Sequence, residues 1–312
     1  MKRVLVTGGA GYIGSKLVTK LLDKNYKVTV IDILKFSSKS LNHLFNNKNF
    51  TFIKGDVRNK KLMTKLIKKN DFIIPLAALV GAPLCEKNKK EAISVNLDSI
   101  KHLMRIISKK RNRIIYLTTN SGYGVFEKNK YCDENSPLNP ISLYGRTKVG
   151  AEKIVMKSKN SIGFRLATVF GDSYRMRTDL LVNNFVYKAV KEKKLTIFEP
   201  HFRRNYIHIN DVVDAIHFSI KNFNSLKSNV YNLGLSSANL TKYMLAQKIK
   251  KQLKYLKIEI VKNRKDPDQR DYYVSNIKIE RKGFKPKIKI EDGIKELIKL
   301  FSTSKKKFIN NY

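Results

Sequence analysis

Cysteine is scarce in this 312-residue chain, which carries only Cys85 and Cys132. Two thiols make neither a disulfide framework nor, by themselves, a metal site, so a reducing compartment and no metal are expected. Long apolar runs are missing as well. The basic start Met1-Lys2-Arg3 leads into an apolar run that stops after Val6, far short of a signal sequence. No segment is apolar for long enough to span a membrane. The expectation is a soluble, cytoplasmic protein that does not act on a membrane. Internal repeats and Gly/Ser-rich linkers are also absent. Acidic residues are few, 25 against 64 Lys and Arg, for a formal net charge of +39. The lysines are spread through every segment and form no single stripe with interleaved aromatics. Such a charge reads as lysine-rich composition, and no specific nucleic-acid partner is expected. It would still help draw in a doubly anionic ligand.

What is present is alternation. An apolar share of 42% supports a large α/β core, or one large and one small unit. Strand-like runs fall at 4–6, 28–31, 50–53, 72–75, 114–117 and 162–166. Amphipathic helical stretches lie between them at 15–22, 61–67, 92–107 and 144–156. Strand and helix alternating at this spacing predict a doubly wound parallel sheet. After Gly171 the pattern loosens into a smaller, mixed region. From Ser302 the tail is polar and basic, and is expected to fray.

The stretch "VLVTGGAGYIGSKL" (4–17) sets glycines at 8, 9, 11 and 14 between a strand and a helix. A tight turn needs one glycine, close approach of a pyrophosphate a second, and helix-on-strand packing a third. The helix start then offers its free N–H groups to phosphate. A second strand ends in Asp32, at the spacing of a ribose-binding acid. An acid there repels a 2′-phosphate and favours NAD over NADP. "GDV" (55–57) closes a further strand. Asp56 there reads either as an acceptor for the adenine amino group, with Val57 against the ring, or as a simple helix cap.

"YGRTK" puts Tyr144 and Lys148 four residues apart, on one helix face. A phenol is a poor base at neutral pH, and an adjacent ammonium favours its ionised form. The preceding strand ends "IIYLTTNSGYG" (114–124), so Thr118 and Thr119 can offer hydroxyls to a substrate oxygen. The set reads as a proton-handling group beside a nicotinamide. Tyr144 takes a hydroxyl proton, Lys148 tunes it, and Thr119 orients the oxygen.

With these residues in view, the sequence resembles the extended short-chain dehydrogenase/reductases that act on nucleotide sugars, the epimerases and dehydratases. The matching stretches run almost end to end: "TGGAGYIG" (7–14), "LAA" (76–78), "YGRTK" (144–148), "FRLATVFG" (164–171), "RRNYIHINDVVDA" (203–215) and "EDGIKEL" (291–297). The resemblance implies a Rossmann-type doubly wound parallel sheet with a smaller mixed α/β substrate-binding region at the C-terminal end. It divides the chain into an NAD-binding part at 1–170, with a return segment near 205–235, a mainly substrate-binding part at 171–301, and a basic tail at 302–312. It implies NAD contacts from Gly8, Gly11, Tyr12, Ile13 and Gly14, and from Asp32, Asp56 and Val57. Leu76, Ala77, Ala78, Asn96 and Thr118 join them, with Tyr144 and Lys148. Asn96 would also support the active-site loop. A nucleotide sugar would be held through its phosphates by Arg204, with Arg270 and Asn183 as further candidates. A homodimer through the helices carrying Asn96 and Tyr144 is also implied.

Two departures narrow the resemblance. The sugar 4,6-dehydratases carry an acidic pair directly after the Thr, where this chain has Asn120 and Ser121. Neither can act as a general acid or base at neutral pH. "LVGAPLCEKN" (79–88), "TTNSGYG" and "HFRRNYIHI" are similar to a branch of NAD-dependent dehydrogenases that oxidise C4 of a GDP-linked heptose. Epimerase and C4 dehydrogenase use the same Tyr, Lys and Thr, so the sequence leaves both open. The competing reading from another class is a non-catalytic dinucleotide- or RNA-binding protein, which would need none of those three residues.

Overall fold

The computed structural model describes residues 1–36, 39–107, 112–125, 131–261, 271–304, 308 and 310. The first half runs β1 (Arg3–Thr7), α1 (Tyr12–Asp23), β2 (Lys27–Asp32), β3 (Phe50–Lys54), α2 (Lys60–Lys68) and β4 (Phe72–Pro75). It continues through α3 (Ala82–Lys87), α4 (Lys89–Ile93), α5 (Ser99–Ile107), β5 (Arg113–Thr119), β6 (Tyr131–Cys132), α6 (Leu143–Val155) and β7 (Ser161–Leu166). Next come β8 (Thr168–Phe170), α7 (Leu181–Lys191), β9 (Lys194–Phe198), β10 (Arg203–His208), α8 (Ile209–Lys221), α9 (Phe223–Leu226) and β11 (Asn229–Leu233). The chain closes with β12 (Asn239–Thr241), α10 (Lys242–Gln252), β13 (Lys257–Val261), β14 (Tyr273–Val274), α11 (Ile277–Arg281) and α12 (Ile290–Thr303).

Seven parallel strands form the main sheet in the order β11-β7-β5-β4-β1-β2-β3. Alternation along each strand feeds both faces. In β1, Val4 and Val6 join Leu17, Val18 and Leu21 of α1 and Val212 and Ile216 of α8 on one side. Leu5 points the other way, to Met63 and Ile67 of α2, Leu103 of α5 and Val155 of α6. A sheet covered on both faces needs apolar residues at nearly every strand position, which is why these strands read as short unbroken apolar runs. The order reverses at β1, which pairs with β2 on one side and β4 on the other. A crevice opens beyond the strand ends at such a reversal.

The smaller region has its own core, built from α7, α10, α12 and their strands, with Val182, Phe185, Leu245, Ile249, Ile294 and Phe301 at its centre. Tyr12 of α1 belongs to this second core, and its hydroxyl donates to Gly171 O at 2.8 Å. The segment from α8 to β11 rejoins the main sheet, whereas β10 pairs with β8 and β12 in a separate sheet.

Two expectations are corrected. The helix expected over 92–107 contains a π-turn at Ser94–Asp98, between α4 and α5. Asn96 lies within this turn. The tail expected to fray from Ser302 is docked where it is described. Helix α12 runs to Thr303, the Phe308 ring packs edge-on against Phe301 at 5.6 Å, and Asn310 bonds Thr178. An aromatic ring and an amide with ready partners outweighed the polar, basic composition.

The glycine turn has almost no slack. A Cβ on Gly14 would lie 2.4 Å from Gly8 O and 2.7 Å from Gly9 Cα. Gly14→Ala is expected to cost about 1–3 kcal/mol through overpacking, measured as a lower midpoint in thermal or urea unfolding. An unchanged midpoint would show that the turn can relax.

Candidate active site

The crevice at the sheet reversal is a cavity of about 600 Å³. Its floor is the glycine turn. Gly8 has φ +70°, and a Cβ there would fall 2.6 Å from Ala77 N, so the loops after β1 and β4 interlock only through glycine. Thr7 Oγ1 accepts the Ala77 N–H at 3.2 Å and fixes the same contact. A Cβ on Gly11 would meet only Gly8 O, at 3.1 Å, with open space beyond. Helix α1 starts there without a side-chain cap and without an acid in its first turn. Its end therefore presents bare N–H groups and a positive dipole to the cavity. This donor set fits a pyrophosphate, and Gly11, Tyr12, Ile13 and Gly14 all line the space.

At the end of β2, Asp32 accepts from Ala10 N (3.0 Å) and Leu34 N (2.8 Å). Burial raises its carboxyl above the usual range, against those two bonds. Asp56 lines the cavity beside Val57, but its carboxylate is held by Arg58 at 2.5 Å and 3.0 Å. That ion pair keeps the Asp56 carboxyl below its ordinary value. Leu76, Ala77 and Ala78 supply the wall after β4.

The residues expected to handle protons converge from two elements. Strand β5 ends at Thr118 and Thr119. Thr118 Oγ1 is buried with no partner among the described residues. Thr119 Oγ1 lies 2.8 Å from Ser121 Oγ and accepts the Ser121 N–H at 3.1 Å. Helix α6 begins beside them because Ser142 caps it, its Oγ accepting Gly145 N–H at 3.1 Å. Tyr144 falls in the first turn and Lys148 one turn later, and both line the cavity. Lys148 is only 6% exposed, and its Nζ lies 4.3 Å from the centre of the Tyr116 ring. Burial pushes its ammonium down to about 7, with the Glu152 carboxylate acting in the opposite direction. Glu152 is itself held by Arg165 at 2.7 Å.

The far wall comes from the smaller region. Arg204 of β10 is 2% exposed, lines the cavity and donates to Arg203 O at 2.9 Å. Sequence reasoning missed three more buried bases in this wall: Arg175, Arg177 and Lys242. Arg177 forms an ion pair with Asp179, and Lys242 Nζ donates to Phe198 O at 3.2 Å. In a chain with 64 basic residues no single one stands out by type. The pattern Arg-x-Arg-x-Asp at 175–179 was the available signal.

Two candidates are revised and a third is untested. Asn183 does not reach the cavity. It is fully buried, accepts from Gly171 N (3.0 Å), and donates to Arg177 O (2.9 Å) and Tyr12 Oη (3.3 Å). Asn96 is not a cavity residue either. Its amide brackets Leu79, accepting from N at 2.8 Å and donating to O at 2.9 Å, and so holds the loop that follows β4. This agrees with the supporting role and removes the direct one. Arg270 lies outside the described residues.

A dinucleotide cradle at a sheet reversal, facing a Tyr-x-x-x-Lys helix and a Thr-bearing strand end, defines an α/β oxidoreductase that works with a nicotinamide cofactor. Residues 4–234 match the NAD dependent epimerase/dehydratase family, and the chain belongs to it. It is 33% identical over 231 residues to an uncharacterized UDP-glucose epimerase of Bacillus subtilis, covering 69% of this chain and 71% of that one. It is 26% identical over 306 residues to a putative UDP-glucose 4-epimerase of Methanocaldococcus jannaschii, covering 95% and 97%. A crystal structure of dTDP-glucose 4,6-dehydratase from Bacillus anthracis in complex with NAD superposes with a TM-score of 0.84, at 25% identity and 98% coverage of both chains.

The buried lysine has a consequence for stability. Lys148 loses its proton near pH 7 in the fold but near 10.5 when exposed. Between those values the unfolded chain binds the extra proton, so stability rises with pH. The penalty is complete below about pH 7 and absent above about 10.5. Lys148→Met is therefore expected to raise the melting temperature by a few degrees at pH 6, with the gain shrinking steadily toward pH 10. A variant that melts lower than the parent at pH 6 would contradict the buried-charge reading.

Proposed function

We propose that the protein oxidises the C4 carbinol of a nucleotide-activated sugar and, as an epimerase, returns the hydride to the opposite face. The observation that carries this reading is the state of the cavity's acids. Among the described residues four carboxylates line it, and each is engaged: Asp32 by backbone N–H groups, Asp56 by Arg58, Glu91 by Lys35, and Asp179 by Arg177. Proton transfer then falls to Tyr144, helped by Thr119 and Lys148. A dehydratase needs an acid to expel water, and the positions after Thr119 hold Asn120 and Ser121.

NAD, when bound, supplies the hydride acceptor and donor. The chain's residues do the rest. Thr119 and Ser121 hold the C4 oxygen, Tyr144 takes the hydroxyl proton as the carbinol becomes a ketone, and the same phenol returns it on reduction. Lys148, one helix turn along α6 from Tyr144, tunes the phenol's acidity through its positive charge. Asp32 holds the adenosine ribose, and the start of α1 holds the pyrophosphate. Arg204, with Arg175, Arg177 and Lys242 in the same wall, offers the positive field that a sugar diphosphate needs. A homodimer pairing, in two copies, the helical stretch that carries Asn96 (89–107) with α6, which carries Tyr144, completes the reading.

The test is a panel of UDP-, dTDP-, CDP- and GDP-linked sugars, GDP-heptoses included, followed by absorbance at 340 nm and NMR of the products. The expected product is the C4 epimer without lasting NADH. Lasting NADH with a keto sugar would make the protein a C4 dehydrogenase. A 6-deoxy-4-keto sugar would overturn the argument from the engaged acids. Tyr144→Phe is expected to lower turnover by about 10²–10⁴-fold with dinucleotide binding retained.

A further inference from the structure

We propose that Asn310, in the C-terminal tail, is a positioning residue for the nucleotide-sugar wall of the cavity. The inference rests on the reading of that wall given above. The loop between β8 and α7 sends Arg175, Arg177, Asp179 and Leu180 into the cavity. Its backbone is gripped from one side by α7. Asn183 Nδ2 donates to Arg177 O at 2.9 Å, and Asn184 Nδ2 donates to Thr178 O at 3.0 Å. From the other side, both donors of Thr178 go to a single acceptor. The backbone N–H reaches Asn310 Oδ1 at 3.0 Å, and the hydroxyl reaches it at 2.9 Å.

Thr178 is 5% exposed, so water is no ready substitute for that acceptor. Two buried donors without an acceptor are costly, and the loop would have to move to satisfy them. Thr178 sits between Arg177 and Asp179, whose ion pair forms the cavity wall, so a shift of Thr178 shifts that pair. Phe308 gives the tail its hold, packing against Phe301 at the end of α12. Phe308 thus packs on the end of α12 and Asn310 clamps a loop more than 130 residues earlier, the separation of Asn310 and Thr178 being 132.

The experiment compares Asn310→Ala and Asn310→Asp with the parent in the full chain. Two quantities are read. One is hydrogen exchange at the Thr178 amide. The other is the dissociation constant, with NAD present, of whichever of UDP-, dTDP-, CDP- and GDP-glucose binds the parent most tightly. Asn310→Ala is expected to speed the exchange and weaken the nucleotide sugar by roughly tenfold, with NAD affinity unchanged. In turnover it should raise KM and leave kcat within about twofold, the pattern of lost binding in ground state and transition state alike. Asn310→Asp keeps an oxygen acceptor and should behave like the parent. Unchanged exchange and affinity in Asn310→Ala would overturn the proposal. So would an Asn310→Asp variant as weak as Asn310→Ala, because the acceptor would then be irrelevant. If the parent binds no member of the panel, the functional reading fails, and Thr178 exchange alone decides whether the clamp exists.

Discussion

An ammonium group buried one helix turn from Tyr144 is the constraint around which this molecule is arranged. A charge out of water must find compensation nearby. Lys148 has two sources of it: the face of the Tyr116 ring at 4.3 Å, and Glu152 one turn further along α6. Glu152 is buried too, and is matched by Arg165 of β7 at 2.7 Å. Arg165 reaches the Tyr123 hydroxyl at 3.0 Å, and that hydroxyl reaches Asn232 of β11 at 2.7 Å. A helix, two strands and the turn after β5 are therefore fastened together around one amine. The placement of Tyr144 follows from that fastening, since it shares the helix.

The same rule shapes the rest of the cavity. Among the described residues each carboxylate that faces it is bound to a cation or to backbone N–H groups, and the wall of the smaller region carries more buried bases than acids. The result is a space lined by buried bases, with the Tyr144 phenol facing it. The large net charge of the chain plays a general part in attracting an anion. The specific part belongs to the few bases that are buried.

The residues that were legible in the sequence are those whose chemistry depends on neighbours close in the chain. The glycines at 8, 11 and 14 fall within one turn, and Tyr144 and Lys148 within one helix turn, so spacing alone brought them to the cavity that they line. The sheet was legible because its strands are short apolar runs separated by amphipathic helices. Asn183 was misjudged because its partners, Gly171, Arg177 and Tyr12, lie up to 171 residues away. Arg175, Arg177 and Lys242 were hidden by the abundance of basic residues. Asn310 was hidden by a tail whose polar, basic composition resembles disorder. Its partner is Thr178, which no local pattern connects to it.

The measurement that most directly tests the central claim is the fate of hydrogen at C4. A nucleotide sugar accepted by the protein, deuterated at C4, is incubated with protein and NAD, and the mixture is quenched before completion. The account predicts deuterium on the nicotinamide ring and its retention at C4 of the epimerised product. Deuterium lost to water would mean that C4 is deprotonated rather than oxidised by hydride transfer, and would contradict the role assigned to Tyr144 and Lys148.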